Sequence, residues 1–246
     1  MVPGLSGGRL MATLNVVFWD VDGTLADTEM DGHRPAFNRA FAELGLPLHW
    51  DRLEYAKRLE IPGGLRRVQQ ACAELGLSLN HDQLQQLRER KRLHYSEEIE
   101  AGAVGWRPGV KRLLSSLSHA GIQNWIVTSS GRASVEALLS VSPEEKSRFS
   151  GIITADDVQN GKPAPDLYQL AVSRAGVSAD DCLAIEDSLA GLDSALGAGL
   201  PCLLTPSPWE KELLRRFNDA VAVVNHLGEP DQPCRQSAGP TCTEGL

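Results

Sequence analysis

The sequence contains few cysteines, no long apolar run and no long basic run, and each shortage excludes a class of protein. Its five cysteines are scattered along 246 residues, odd in number and never spaced as CxxC. We therefore expect reduced thiols in a cytoplasmic protein, and neither a disulfide framework nor a cysteine-rich zinc site. No apolar run approaches the ~20 residues that span a bilayer, so no membrane partner is expected.

The charge pattern narrows the range of partners further. The formal net charge is −8, which does not predict a nucleic-acid-binding surface. The most basic segment contains Arg88, Arg90, Lys91 and Arg92 on a predicted helix, and we interpret it as a solvated helix face. An acidic protein can still bind a phosphorylated substrate, because a metal ion and a few local cations can reverse the field inside one pocket.

The spacing of apolar residues predicts how the chain is organised. Val16–Trp19 reads as a buried strand, after which the pattern is helical from Pro35 to about Ile99. Strands then alternate with helices, which predicts a parallel sheet covered on both faces. Further strands are predicted at 125–128, 152–154, 182–185, 201–204 and 221–224. We predict an α/β fold with a Rossmann-like parallel sheet core and an inserted, all-helical domain.

The same pattern predicts the domain boundaries. The core comprises residues 14–30 and 104–228, and the helical insert comprises residues 31–103. A flexible N-terminal extension is expected at 1–13, so that either Met1 or Met11 is the natural start. The tail at 229–246 is rich in Pro, Gly, Ser and Thr and is expected to be disordered.

The stretch VVFWDVDGTLADTE carries two carboxylates out of the first strand. Asp20 ends the strand, Asp22 lies two residues on, and Gly23 permits a tight turn. Ligands of open parallel sheets bind at the carboxyl ends of the strands. Two carboxylates so close repel each other unless a cation or a shared proton relieves them. On these residues alone, an ordinary Asp-Gly turn explains the pattern equally well.

Three further stretches place polar residues at or just after a predicted strand. Thr128 and Ser129 begin TSSG, whose hydroxyls and backbone amides suit a phosphate. Lys162 lies on a rigid loop in NGKPAPDLY, and Glu186 and Asp187 end a strand in AIEDSLAG. Each stretch alone has a simpler interpretation: a helix N-cap, a surface turn and a capping aspartate.

In this order, the four motifs resemble those of the haloacid dehalogenase-like hydrolases, over residues 14 to about 225. The resemblance implies that Asp20 is the nucleophile and that Asp22 is the general acid and base. It implies that Thr128 and Lys162 bind the phosphoryl oxygens with help from Ser129. Dehalogenases of the superfamily typically lack the counterpart of Asp22, so a phosphatase or a phosphomutase is expected.

The resemblance also implies a cofactor. Mg²⁺ is expected between the Asp20 carboxylate, the Asp22 backbone carbonyl and Asp187, with Glu186 as a supporting carboxylate. Oxygen ligands of this kind suit a hard cation.

The helical insert resembles the cap domain of this superfamily. The segments DTEMDGHRPAFN, WDRLEY and GGLRRV are similar to those of the group that contains xylulose-1,5-bisphosphate phosphatases and β-phosphoglucomutases, and are most similar to the phosphatases. The residues that the resemblance implies in substrate binding are Glu29, His33, Tyr55, Gly64, Arg67 and Ser129. One departure is Leu65, which stands where those phosphatases carry a lysine and weakens the expectation of a bisphosphate ligand.

We therefore expect a monomeric, Mg²⁺-dependent phosphatase that hydrolyses a sugar phosphate through an aspartyl-phosphate intermediate. The leading substrate is xylulose 1,5-bisphosphate, which would give xylulose 5-phosphate. The alternatives are a β-phosphoglucomutase-like mutase, a phosphatase of another small ester such as phosphoglycolate, and a non-catalytic binding protein. Asp20, Asp22, Lys162 and Asp187 are all present, which disfavours the last alternative.

Overall fold

The computed structural model describes residues 14–61, 63–209 and 212–238, apart from the side chains of 212–215 and 238. The predicted N-terminal extension, both candidate start methionines and the end of the tail lie outside the described residues. None of the described helices combines the length and the apolar character needed to cross a membrane.

One sheet forms the centre of the molecule, with the strand order β3-β2-β1-β4-β5-β6-β7. Strands β1 to β6 pair in parallel, and β7 pairs antiparallel to β6. The strands are β1 (Val16–Trp19), β2 (Gln123–Val127), β3 (Phe149–Ile153), β4 (Cys182–Glu186), β5 (Cys202–Leu204), β6 (Ala222–Val224) and β7 (Gln236–Ala238). The predicted α/β class is confirmed.

The register of the central strands decides where the motifs emerge. Trp19 of β1 lies opposite Ile126 of β2 and Ile185 of β4. Because the three strands are parallel and end together, the residues that follow them meet at one edge of the sheet. All four residues of β1 are buried, as expected for a strand covered on both faces.

Helices cover both faces of the sheet and also form the insert. In the insert, a π-helical turn at Glu29–His33 leads into α1 (Arg34–Glu43), α2 (Arg52–Arg58), α3 (Gly64–Glu74) and α4 (His81–Glu100). The later helices are α5 (Val110–His119), α6 (Arg132–Ser140), α7 (Pro143–Lys146), α8 (Asp166–Ala175) and α9 (Leu189–Gly197). Short 3₁₀ turns lie at Ala155–Asp157, Ala179–Asp181 and Glu212–Asp219.

The apolar core has three parts. Side chains alternate along β1, so that Phe18 packs in the cluster on one face of the sheet and Trp19 in the cluster on the other. The helices between β1 and β2 bury a third cluster, in which Phe37 and Phe41 pack against Trp50 with ring centroids 5.2 and 4.8 Å away. An insert with a core of its own agrees with the predicted all-helical domain, whose boundaries at 31 and 103 stay a prediction.

The tail departs from the sequence-based expectation. Disorder was predicted from Glu229 onward, but the structure places β7 beside β6 and brings the Glu229 carboxylate to the backbone N–H of Gly109 at 2.7 Å. The prediction is wrong for residues 229–238, and residues 239–246 lie outside the described part. A three-residue edge strand needs only the free edge of β6 as a template, which tail composition does not reveal.

Candidate active site

Lys162 lies at the centre of the polar groups at the carboxyl edge of the sheet. Its Nζ lies 2.6 Å from Asp20 Oδ1, 2.6 Å from Glu186 Oε1 and 2.9 Å from the Val127 carbonyl oxygen. Asp20 follows β1, Glu186 ends β4 and Val127 ends β2, so one lysine connects the ends of three adjacent strands. Lys162, Asp20 and Glu186 are all buried.

Three carboxylates form a cluster that fits a hard cation. Asp20, Glu186 and Asp187 each offer one oxygen, and these oxygens lie within 4.8 Å of one another. Glu186 Oε1 accepts from Lys162 and from the Tyr168 hydroxyl, whereas its buried Oε2 has no hydrogen-bond partner among the described residues. A buried carboxylate oxygen without a partner is costly, and clustered oxygen donors are the ligands that Mg²⁺ prefers. The residues present therefore fit a Mg²⁺ site.

Glycines make room for these carboxylates. Gly23 has φ +86°, and a Cβ at this position would lie 2.1 Å from Asp187 Oδ2. A Cβ at Gly191, in the first turn of α9, would lie 1.9 Å from Glu186 Oε2. The glycine of the DGT motif thus serves both the turn and the close approach of Asp187.

Burial sets the electrostatics of the cluster. Burial raises the pKa of Asp20 to about 7, with Glu186 and Asp22 adding to the effect and Lys162 opposing it. Burial and the neighbouring Asp20 and Glu186 raise the pKa of Asp187 well above its usual range. Burial disfavours the Lys162 ammonium, but Asp20 and Glu186 outweigh it and raise the pKa of that lysine. The raised pKa values of the two aspartates show that one lysine does not offset the charge of three ionised carboxylates.

Asp22 lies in a separate set of contacts. Its carboxylate accepts from the hydroxyls of Thr28 and Ser130 and lies 3.1 Å from His33 Nε2. Burial would raise the pKa of Asp22, but His33 and these hydroxyls outweigh it and hold that pKa well below its usual range. His33 was predicted near the site from the sequence, whereas Thr28 and Ser130 were not predicted as partners of Asp22.

The polar groups of the TSSG motif make contacts both within the motif and with Asp22. Thr128 is buried, and its hydroxyl accepts from the Ser130 backbone N–H at 3.1 Å. The exposed Ser129 lies near Gly161 of the lysine loop, where a Cβ would come within 3.5 Å of its Oγ. Ser130, next in the same motif, is the serine that contacts Asp22.

The insert contributes a second polar group, centred on Glu29. Tyr55 donates its hydroxyl to Glu29, and Arg67 Nη1 lies 3.3 Å from the Tyr55 hydroxyl and 3.4 Å from Glu29 Oε1. Arg67 is buried and also donates from Nε to the Ile61 carbonyl at 2.9 Å. The structure thus brings together three of the predicted substrate-binding residues.

The GGLRRV segment places three neighbouring side chains in different environments. Gly64 begins α3, and a Cβ there would lie 2.8 Å from Phe37 Cζ, so its small size serves packing. Leu65 packs against the apolar core of the insert, and Arg66 is exposed. Arg66 therefore faces solvent, unlike the buried Arg67 beside it.

Lys91 corrects one interpretation of the sequence. The solvated-face interpretation holds for Arg88 and Arg92, which are exposed, but it is wrong for Lys91. Lys91 Nζ lies 2.8 Å from His33 Nδ1 and about 5 Å from the ring centroids of Phe37 and Tyr95. Burial lowers the pKa of Lys91 to about 8, although Glu29 and Asp22 oppose the shift.

A signal for Lys91 was present in the sequence. Leu87, Lys91 and Tyr95 are spaced by four on α4, and both neighbours of the lysine are buried. Residues spaced by four lie on the same face of a helix. A lysine that shares a helix face with buried apolar residues, and not with the exposed basic residues, is a candidate for a specific binding role.

Comparison with known proteins shows the family of the chain. Residues 17–205 match the model of the haloacid dehalogenase-like hydrolase family. The chain belongs to the haloacid dehalogenase-like hydrolases. This hydrolase is 37% identical to the plasmid CbbY protein of Cupriavidus necator, over 91% of this chain and 89% of that protein. It is 38% identical to CbbY of Rhodobacter capsulatus, over 80% and 88% of the two chains.

A solved structure is similar over nearly the whole hydrolase. CbbY from Rhodobacter sphaeroides, crystallised as a mutant in complex with xylulose-(1,5)bisphosphate, matches with a TM-score of 0.80 and 32% identity. The match covers 88% of this chain and 96% of that one. With the family match and the CbbY relatives, the hydrolase is assigned as a phosphatase of this group.

Proposed function

We propose that this phosphatase hydrolyses a sugar phosphate through an aspartyl-phosphate intermediate at Asp20 and depends on Mg²⁺. The observation that carries the proposal is the buried contact of Asp20 with Lys162, beside the cluster of Glu186 and Asp187. A carboxylate nucleophile divides one difficult displacement into two easier steps. Phosphoryl transfer depends mostly on positioning and charge neutralisation, which buried cations and a metal supply.

In the two steps of the proposed reaction, Asp20 acts as the nucleophile and Asp22 as the general acid and base. Asp20 attacks phosphorus, the bond from phosphorus to the sugar oxygen breaks, and Asp22 gives that oxygen a proton. Asp22 then takes a proton from water, whose oxygen attacks phosphorus and releases Asp20 and inorganic phosphate. Asp22 is held ionised by His33, Thr28 and Ser130, which suits the second step. For the first step Asp22 must carry a proton, which it passes to the leaving oxygen.

The remaining motif residues hold the phosphoryl group and the metal. Lys162 offsets charge on the phosphoryl oxygens, and Thr128 and Ser129 would bind them at the end of β2. Asp20, the Asp22 carbonyl and Asp187 would hold Mg²⁺, which when bound supplies charge neutralisation. Glu186 supports this arrangement through Lys162 and Tyr168, both of which contact its Oε1.

The leading substrate within this proposal is xylulose 1,5-bisphosphate. Support comes from the similarity to CbbY in complex with that bisphosphate. In this chain Arg67 offers a planar fork for the distal phosphate, and Lys91 provides the cation that Leu65 does not. Glu29, His33 and Tyr55 would contact the sugar hydroxyls, since they lie in the same network as these cations.

Phosphate release from a substrate panel tests the proposal. The panel contains xylulose 1,5-bisphosphate, ribulose 1,5-bisphosphate, β-glucose 1-phosphate, phosphoglycolate and fructose 1,6-bisphosphate, each with Mg²⁺ and with EDTA. We expect Mg²⁺-dependent release with a clear preference for xylulose 1,5-bisphosphate. Equal, weak release from all five would contradict the substrate, and formation of an isomeric sugar phosphate would indicate a mutase. Phosphate release that persists in EDTA would contradict the proposed dependence on Mg²⁺.

A further inference from the structure

Arg107 is a buried arginine at the carboxyl edge of the sheet that the proposed chemistry does not use. It is 9% exposed, and its backbone N–H donates to the Leu25 carbonyl at 2.9 Å. The adjacent Trp106 forms an isolated bridge with Ala26. The segment around Arg107 therefore runs directly beside the turn that follows Asp20. A buried guanidinium has five N–H donors, and each needs an acceptor in place of water.

The guanidinium joins loops that leave three different strands. Nη1 donates to the carbonyl of Gly23, after β1, and to the carbonyl of Thr205, after β5, at 2.7 Å. Nη2 lies 3.4 Å from the Pro206 carbonyl oxygen and 3.3 Å from that of Asn225, which follows β6. These four acceptors belong to the main chain. The contact therefore fixes where three loops lie relative to one another.

Ion pairing does not explain the guanidinium. Among the described residues, the carboxylate within 4 Å is that of Asp27, which lies 3.6 Å from Nε and has a side chain 56% exposed. An exposed pair of this kind contributes little energy. The carbonyl contacts are the main environment of the group.

Gly23 connects these contacts to the metal site. It follows Asp22, whose carbonyl is a proposed ligand, and a Cβ at Gly23 would lie 2.1 Å from Asp187 Oδ2. Both planar peptide groups beside Gly23 are held: the Gly23 N–H of the preceding peptide donates to the Ala26 carbonyl at 2.9 Å, and the Gly23 carbonyl of the following one accepts from Arg107. The preceding peptide carries the Asp22 carbonyl oxygen.

We propose that Arg107 is a positioning residue for the metal site, and that its guanidinium holds the Asp22–Gly23 turn against Asp187 before Mg²⁺ binds. This inference rests on the proposed function. The planar fork of arginine reaches carbonyls on three loops at once, which the single ammonium of lysine does not. Groups that orient metal ligands commonly change metal affinity by about 10- to 100-fold when they are replaced.

Mg²⁺ binding to the full chain without substrate tests the inference. Isothermal titration calorimetry would compare the wild type with Arg107→Lys, Arg107→Gln and Arg112→Gln. Arg112 is a matched control, because it donates to loop carbonyls at Leu227 (2.8 Å) and Gly228 (3.1 Å) but to none in the first motif. We expect Kd for Mg²⁺ to rise about tenfold or more in both Arg107 variants and to change less than about twofold in Arg112→Gln.

A kinetic measurement separates positioning from loss of folding. In Arg107→Lys, kcat should recover toward the wild-type value at saturating Mg²⁺, because excess ion offsets weaker binding. Arg107→Lys carries the test if Arg107→Gln does not fold. Folded Arg107 variants that bind Mg²⁺ as tightly as the wild type would overturn the inference alone. A wild-type protein that binds no Mg²⁺ and works in EDTA would overturn the metal-dependent function, and this inference with it.

Discussion

The core site and the cap group are built by different means. The core site consists of Asp20, Lys162, Glu186 and Asp187 at the ends of parallel strands, where the register brings them together. The cap group consists of Glu29, His33, Tyr55, Arg67 and Lys91, which come from four helical segments and meet through side-chain contacts. The core site thus follows from backbone geometry, and the cap group follows from helix packing.

The charges of the two groups differ in the same way. In the core site three carboxylates face one lysine, an excess of negative charge that suits a divalent cation. In the cap group Arg67 and Lys91 accompany one carboxylate, Glu29, which suits an anionic ligand. From this difference we infer that the strand ends carry the reaction and that the helices select the substrate. The following predictions test that division.

The largest effect is expected at Asp20. Asp20→Asn removes the nucleophile while keeping the side-chain volume, so kcat should fall on the order of 10⁴-fold for every substrate. Steady-state phosphate release measures the loss, and thermal unfolding checks that the fold remains. Asp219→Asn, on an exposed 3₁₀ turn, is the control and should retain activity. Near-normal activity of Asp20→Asn would show that the core site does not contain the nucleophile.

A selective effect is expected at Lys91. Lys91→Met removes the charge but keeps an unbranched apolar stem, so KM for a bisphosphate should rise roughly 10- to 100-fold, the cost of one charged hydrogen bond. The same variant should change KM for a sugar monophosphate much less. Arg92→Met, one residue along α4 and exposed, should leave both values unchanged. An equal loss on both kinds of substrate would break the division between reaction and recognition.

The charge of Lys91 also predicts a pH dependence. The ammonium form is the one expected to bind phosphate, and burial lowers its pKa in the free protein to about 8 from its usual value of 10.5. As pH rises through 8 the charge is lost, so kcat/KM for the bisphosphate should fall up to about tenfold per pH unit. A kcat/KM profile from pH 6 to 10 measures this limb. The limb should be absent in Lys91→Met, and its persistence there would assign it to another group.

The smallest effect is expected at Tyr168. Tyr168→Phe keeps the ring, over which Lys162 lies at 5.3 Å, and removes only the hydroxyl that donates to Glu186. Glu186 keeps its contact with Lys162, so kcat should fall only about three- to tenfold. Comparing kcat at saturating Mg²⁺ with the Mg²⁺ concentration at half-saturation would show which function the hydroxyl supports. A loss as large as that of Asp20→Asn would mean that Glu186 acts directly in the reaction.

The core site was largely predictable because its residues are adjacent in sequence to strand ends. Val16–Trp19 was predicted with the bounds that the structure shows. Asp20 and Asp187 come directly after β1 and β4, two strands that pair in parallel. Lys162 was predicted on a loop, yet its double contact with Asp20 and Glu186 depends on how that loop folds back. The roles assigned to these residues stay predictions until they are tested by substitution.

The cap group was only partly predictable. Its residues are separated by up to about 60 positions, and single residues on helices carry little positional information. The interpretation of Lys91 was wrong because Arg88 and Arg92 on the same helix are exposed whereas Lys91 is half-buried, and composition averages over both faces of a helix. The three contacts of Asp22 with Thr28, Ser130 and His33 likewise depend on side-chain placement.

The sequence by itself determined the α/β class, because apolar periodicity and turn residues act over a few neighbouring positions. It indicated the family through the resemblance of four motifs and their order. The tertiary structure decided which partner each buried cation contacts. Lys162 contacts Glu186, Lys91 contacts His33, and Arg107 donates to carbonyls of three loops. These pairings join residues from about 24 to 118 positions apart. Electrostatic interactions depend on distance in space and on exclusion of water, neither of which is written in local sequence.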